Sequence, residues 1–193
     1  MVASPAIAEL VGAGAHIIWR RLDLPGHDAC RLWSEGAQWR LEGMAVWADA
    51  LGPAQLAYEV SVDEDWITHS ARIMGRVGKR ALSLSVHRGE AGEWRVNGEA
   101  VPEVSGLRDI DLGFTPATNT LPIRRMRAAR QDSADIAAAW LDPEDWRLKP
   151  LPQHYERQGD AWRYAAGSGF STTITIDGDG LVTDYPPLWT QEV

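Results

Sequence analysis

Lysine is nearly absent from this chain: Lys79 and Lys149 are the two examples in 193 residues. With 19 basic against 27 acidic side chains the formal net charge is -8. Nucleic acids and anionic membranes are gripped by dense Lys/Arg surfaces, so this balance argues against both as partners. Cysteine occurs once, as Cys30, which excludes an intrachain disulfide. Set in an apolar run, it reads as a small buried hydrophobe. No apolar run approaches the eighteen or so residues of a membrane span, so membrane insertion is not expected. The first residues faintly imitate a secretion signal, but they lack a basic start and Glu9 interrupts the apolar stretch. These readings lead to a soluble, cytoplasmic protein.

Phosphate-cradling glycine loops are also missing, and the expectation includes no cofactor. The five histidines, His16, His27, His69, His87 and His154, lie far apart without metal-type spacing, so no metal is expected. Gly167-Ser168-Gly169 lacks the spacing of a nucleophile elbow and reads as a turn. Asp177-Gly178-Asp179-Gly180 starts like a calcium loop but lacks the later ligands, and it too reads as a turn.

What the chain does have is alternation. Leu56, Tyr58, Val60 and Val62 alternate with Glu59, Ser61 and Asp63; Leu82, Leu84 and Val86 alternate with Ser83, Ser85 and His87. Period two over such lengths marks strands with one buried face. Further strands are expected over 16–22, 29–34, 38–48, 66–77, 122–129, 152–157, 161–166 and 172–176. Asn97-Gly98 and Asp177-Gly178-Asp179-Gly180 supply the chemistry of hairpin turns. Strands at short, even intervals predict a mainly β protein, a curved antiparallel sheet forming an open barrel with one or two helices. Residues 1–14 read as an arm or short helix, and 15–193 as one barrel domain. Residues 133–142 are ambiguous: alanine content favours a helix, while Ile136, Ala138 and Trp140 also share a strand face.

Ten of the sixteen aromatic residues are tryptophan. Each buries on the order of 200 Å², so most belong in the core, and the rest suit a cavity that takes sugar rings or acyl chains. Trp39 and Trp47 share a face with Leu41, Gly43 and Ala45. The densest chemistry lies at 109–125, where Asp109, Asp111, Thr115, Asn119, Arg124 and Arg125 stand between prolines. Read as extended chain, the two arginines point to opposite sides, so one faces inward and needs a carboxylate partner. Three roles fit: a crossover stapled by an Asp–Arg pair, a polar anchor at a pocket mouth, or a catalytic acid/base pair.

The stretch Thr115-Pro-Ala-Thr-Asn-Thr-Leu-Pro-Ile-Arg-Arg125, preceded by Asp109-Ile-Asp-Leu112, resembles the bacterial family called putative glycolipid-binding, formerly a domain of unknown function. Asp65-Trp66-Ile-Thr68, Gly92-Glu-Trp94 with Asn97-Gly98, Gln153-His-Tyr155 and Asp179-Gly-Leu-Val-Thr-Asp-Tyr185-Pro186 are similar to it in order. The resemblance implies an open β-barrel like the Lol-type lipoprotein carriers, with an apolar cavity, and a strand rather than a helix at 135–142. Two departures stand out: Ala117 replaces a usual aromatic, and residues 128–132 lack a common glycine, which puts a hairpin there in doubt.

Together these readings point to a protein that binds an amphipathic small molecule, a glycolipid or other lipid-like ligand. Asp109, Asp111, Thr115, Asn119, Arg124 and Arg125 would form the polar anchor, with Trp39, Trp47, Trp66 and Tyr155 as lining. The alternative is an enzyme on the same scaffold, with an aspartate as general acid or base on a sugar-like or lipid-like substrate.

Overall fold

The computed structural model describes residues 14–193. Apart from Gly14, the expected N-terminal arm lies outside the described residues. One large curved sheet of fifteen strands organises the rest, and its edges do not close on each other. The first run comprises β1 (Ala15–Arg21), β2 (Gly26–Glu35), β3 (Gln38–Asp49), β4 (Gly52–Val62), β5 (Thr68–Val77), β6 (Arg80–Arg88), β7 (Trp94–Val96) and β8 (Glu99–Ala100). The second comprises β10 (Ser133–Asp142), β11 (Arg147–Gln158), β12 (Ala161–Ala166), β13 (Ser171–Ile176), β14 (Val182–Tyr185) and β15 (Trp189–Gln191). Strands β1 and β15 pair antiparallel and join the two runs. A crossover links β8 to β10 and carries β9 (Asp109–Leu112), a 3-10 turn (Ala117–Asn119) and the helix α1 (Thr120–Ala128).

Alternation decides which side chains face the core. Ile17 and Trp19, Cys30 and Leu32, Leu41 and Ala45, Leu56, Tyr58 and Val60 all bury on one face. The crossover lies against that inner face, where Phe114, Leu121, Ile123 and Met126 complete the core. Strand β9 pairs parallel with β10 and ends the sheet. It also reaches the start of β5, where the Thr68 amide donates to the Arg108 carbonyl at 3.0 Å and the Ile110 amide to Thr68 Oγ1 at 3.1 Å.

Residues 133–142 form β10, the strand that the resemblance implies, because ten-residue pairing with β11 outweighs the few tenths of a kcal/mol per residue by which alanine favours a helix. One local expectation needs correcting. Residues 122–129 fall mostly within α1 and are not a strand. Leu121, Pro122, Ile123 and Met126 bury together on helical spacing, and Pro122 sits in the first turn, where its missing N–H costs nothing. The absent glycine has a visible consequence: just past the helix, Arg130 takes φ 54°, the left-handed conformation that usually closes a helix with glycine. The chain there leads from α1 into β10 and makes no hairpin.

Candidate functional site

The helix changes the geometry of the two arginines. Successive helical residues lie about 100° apart, so both can turn toward the protein. Arg125 forks onto Asp109, with Nη1–Oδ1 at 2.5 Å and Nη2–Oδ2 at 2.6 Å, and Nη1 also donates to the Trp66 carbonyl at 3.3 Å. Asp109 is buried, and such a bidentate pair survives burial because it satisfies both partners. Arg124 lies beside a pair of indoles, 4.6 Å from the Trp39 ring centre and 4.2 Å from that of Trp66. Its Nη1 is buried without a hydrogen-bond partner, and burial pulls the guanidinium below its ordinary value. Trp66 holds φ 61°, a strained conformation for an aromatic residue, and its ring centre lies 5.0 Å from that of Trp39.

The other expected site residues form three internal clusters. Tyr155 donates from its hydroxyl to Asn119 Oδ1 at 2.8 Å, and both residues are buried. Asp111 accepts from Gln153 Nε2 at 2.7 Å and from the Thr118 hydroxyl at 3.4 Å. Burial raises the Asp111 carboxyl from 3.8 to about 6, against the pull of those two bonds. Gln153 Nε2 further lies 3.1 Å from the Tyr164 hydroxyl, and the Tyr164 ring packs on Tyr155, Phe170 and Tyr185. Thr115 donates to Asp28 Oδ2 at 2.5 Å, and Tyr58 donates to the same oxygen at 2.9 Å. Trp47 lies outside these clusters, stacked on Phe114 and donating from Nε1 to Asp49 Oδ2 at 3.2 Å.

Asp28 is the residue that the sequence reading missed. Its other oxygen, Oδ1, is buried with no partner, and burial lifts the carboxyl to about 6. The signal was present: Asp28 shares strand parity with Cys30 and Leu32, which places it on the buried face.

A second feature lies on the outer face of the same strands. Ile18 of β1 pairs with Ala29 of β2, Ala29 with Met44 of β3, Met44 with Ala57 of β4, and Ala57 with Met74 of β5. Large and small side chains therefore alternate across five strands, leaving furrows above the alanines. The result is a depression of about 560 Å³ with this row as its floor. The next row along the strands is charged: Arg31 bonds Glu42 at 3.0 Å, Glu59 pairs with Arg40, and Arg72 lacks an acidic partner among the described residues. This site too was legible, because Met44 and Met74 occupy the normally polar positions of their strands. Among the described residues no cluster of three or more His, Cys, Asp or Glu side chains could hold a metal. No helix among them is long and apolar enough to cross a membrane.

A family model described as Putative glycolipid-binding matches residues 16–191, which takes in the crossover, the sheet and the outer depression. The chain belongs to this family. The curated proteins contain no match to this chain. Among solved structures, the crystal structure of a DUF1089 family protein from Pseudomonas aeruginosa superimposes with a TM-score of 0.73. The two chains are 27% identical, and the match covers 98% of each. The glycolipid-binding family thus accounts for nearly the whole length of this chain as one pattern.

Proposed function

We propose that this protein binds an amphipathic small molecule, a glycolipid or other lipid-like ligand, in the depression on the outer face of β1–β5. The observation that carries the reading is the apolar floor from Ile18 to Met74 beside a charged rim. Its volume falls within the range of about 300–1,000 Å³ usual for small-molecule sites, and an apolar floor with few polar groups is their usual chemistry. The family description supports the same ligand class. Alkyl surface would lie in the furrows above Ala29 and Ala57, leaving the head to reach Arg72 and the Arg31–Glu42 pair. In this reading residues 15–193 act as one unit, a cytoplasmic carrier in the manner of Lol-type proteins. Asp109, Arg125, Asn119 and Tyr155 then act from inside, holding the crossover against the sheet, because their polar groups are spent on one another. Arg124, packed beside the Trp39–Trp66 pair with its Nη1 buried, likewise belongs to the crossover side of the sheet and not to the depression.

Native mass spectrometry with a bacterial lipid extract tests this reading. The wild-type protein should carry lipid-sized adducts, and Ala57→Trp, which fills a furrow, should weaken them roughly tenfold or more. Absence of adducts from the wild type, or equal adducts on the variant, would sink it.

One observation favours a second reading, catalysis by Asp111. Asp109 is locked to Arg125, whereas Asp111 has no arginine partner and its carboxyl stands at about 6, the range of a general acid. If Asp111→Asn abolishes turnover of a glycolipid while the fold persists, catalysis replaces carriage.

A further inference from the structure

Every large hydrophobic residue that stands exposed among the described residues lies in one region. Ile18, Met44, Val46 and Met74 project from the outer face of β1, β3 and β5, and Val193 lines the same depression. Leu22, Leu24 and Leu51 project from turns, and Leu51 is the most open of the three at 68%. In an antiparallel meander the turns β1–β2, β3–β4 and β5–β6 fall at one end of the strands. Contacts confirm that they are neighbours: the Ala48 amide donates to the Pro25 carbonyl at 2.8 Å, and the Gly78 amide to the Pro53 carbonyl at 3.0 Å. A second hollow, of about 780 Å³, opens between them and is lined by Val46, Leu51, Arg76 and Lys79 among others. Isolated exposed leucines need no explanation, but a continuous apolar strip of this kind marks a surface that something covers.

Charge identifies the partner. The acidic groups of this face are already engaged: Glu42 with Arg31, Glu59 with Arg40, Glu192 with Arg20 and His27, and Asp23 with Arg21. Asp49 accepts from the Leu51 amide at 2.9 Å and from Trp47 Nε1 at 3.2 Å. Arg72, Arg76, Lys79 and Arg80 follow one another along β5 and its turn, and none has an acidic partner among the described residues. The net charge of -8 argues against an anionic surface as partner for the chain as a whole, but this face departs from that balance, with unpaired cations beside its exposed apolar strip.

We propose that the outer face of β1–β5, with the turns at Leu22–Leu24, Leu51 and Lys79–Arg80, is a peripheral docking surface for an anionic lipid bilayer. The leucine-bearing turns enter the headgroup region, and the four cations meet lipid phosphates. A second copy of the chain fits less well, since it would bring the same unpaired cations with it. The inference goes beyond ligand binding: it concerns a bilayer, and the outer depression would open onto it.

Flotation with vesicles tests it, using phosphatidylcholine alone and phosphatidylcholine mixed with phosphatidylglycerol. The wild type should float with the mixed vesicles, much less with the neutral ones, and should release as salt is raised. Lys79→Gln with Arg80→Gln should cut partitioning roughly thirtyfold at low salt, since each basic residue near such a surface is worth about fivefold. Leu51→Ser should weaken it roughly tenfold at every salt concentration. Both variants change exposed positions, and circular dichroism checks their fold. Wild-type protein that stays unbound to mixed vesicles, or variants that float equally well, would overturn the proposal. So would a dimer in sedimentation velocity that Leu51→Ser dissolves without any flotation, because a second copy would then be the cover. Adducts in lipid-extract mass spectra that survive these substitutions separate this surface from the ligand-binding reading.

Discussion

Asp111 is a carboxyl held where its charged form is disfavoured. Its folded value, about 6, stands above the ordinary 3.8. Between those values the folded protein keeps a proton that the unfolded chain has released. The group's stability contribution is therefore full below about pH 4 and is lost as pH rises through 6. Above that range the penalty is at most about 3 kcal/mol. Asn at this position can accept from Gln153 and donate to Thr118, so it keeps the bonds without the charge. We expect Asp111→Asn to be more stable than the wild type at about pH 7.5, with the gap closing near pH 4, as read from urea denaturation at each pH. A gap independent of pH would show that the carboxyl is not titrating there. The presence of charged residues at 109–125 was legible from the sequence, and so was the need for an Asp–Arg pair. Which aspartate joined which arginine was not, because that depended on a helical turn.

At the scale of elements, local chemistry was most reliable where it acted alone. Asn97 and Gly98 take φ 50° and 86°, the paired positive values of a two-residue hairpin turn between β7 and β8. The Asn97 side chain adds bonds to the Ser85 amide at 2.8 Å and the Ser83 carbonyl at 3.2 Å. Asn97→Ala loses those bonds and pays for a left-handed alanine, so we expect about 2 kcal/mol of destabilisation in thermal melts. A variant that melts with the wild type would mean that β7 and β8 add little to the cooperative unit. Residues 120–128 illustrate the opposite case. Their alternation permits a strand, but packing of Leu121, Ile123 and Met126 under the sheet selects the helix.

The whole molecule is a sheet whose far edge is brought back to its first half. Strand β9 meets β5 through Thr68, whose hydroxyl oxygen serves the buried amide of Ile110 across 42 positions of sequence. Thr68→Val keeps the shape and removes that acceptor. Leaving the amide unsatisfied should cost about 1–3 kcal/mol. Chemical denaturation should show one transition at a lower midpoint, and two separate transitions would mean that the runs β1–β8 and β10–β15 unfold independently. The sequence by itself determined most of the strands, the hairpin turns, the single unpaired cysteine and the acidic balance, because alternation and turn chemistry act over a few residues. Tertiary structure alone decided the rest. It folded the crossover as a helix, spent most of the charge at 109–125 on internal bonds, and lined up Ile18, Ala29, Met44, Ala57 and Met74 across five strands. It also set the four cations of residues 72–80 beside exposed leucines from two other turns. Those arrangements follow from pairing register and from which face is buried, and both are settled by packing between residues distant in sequence.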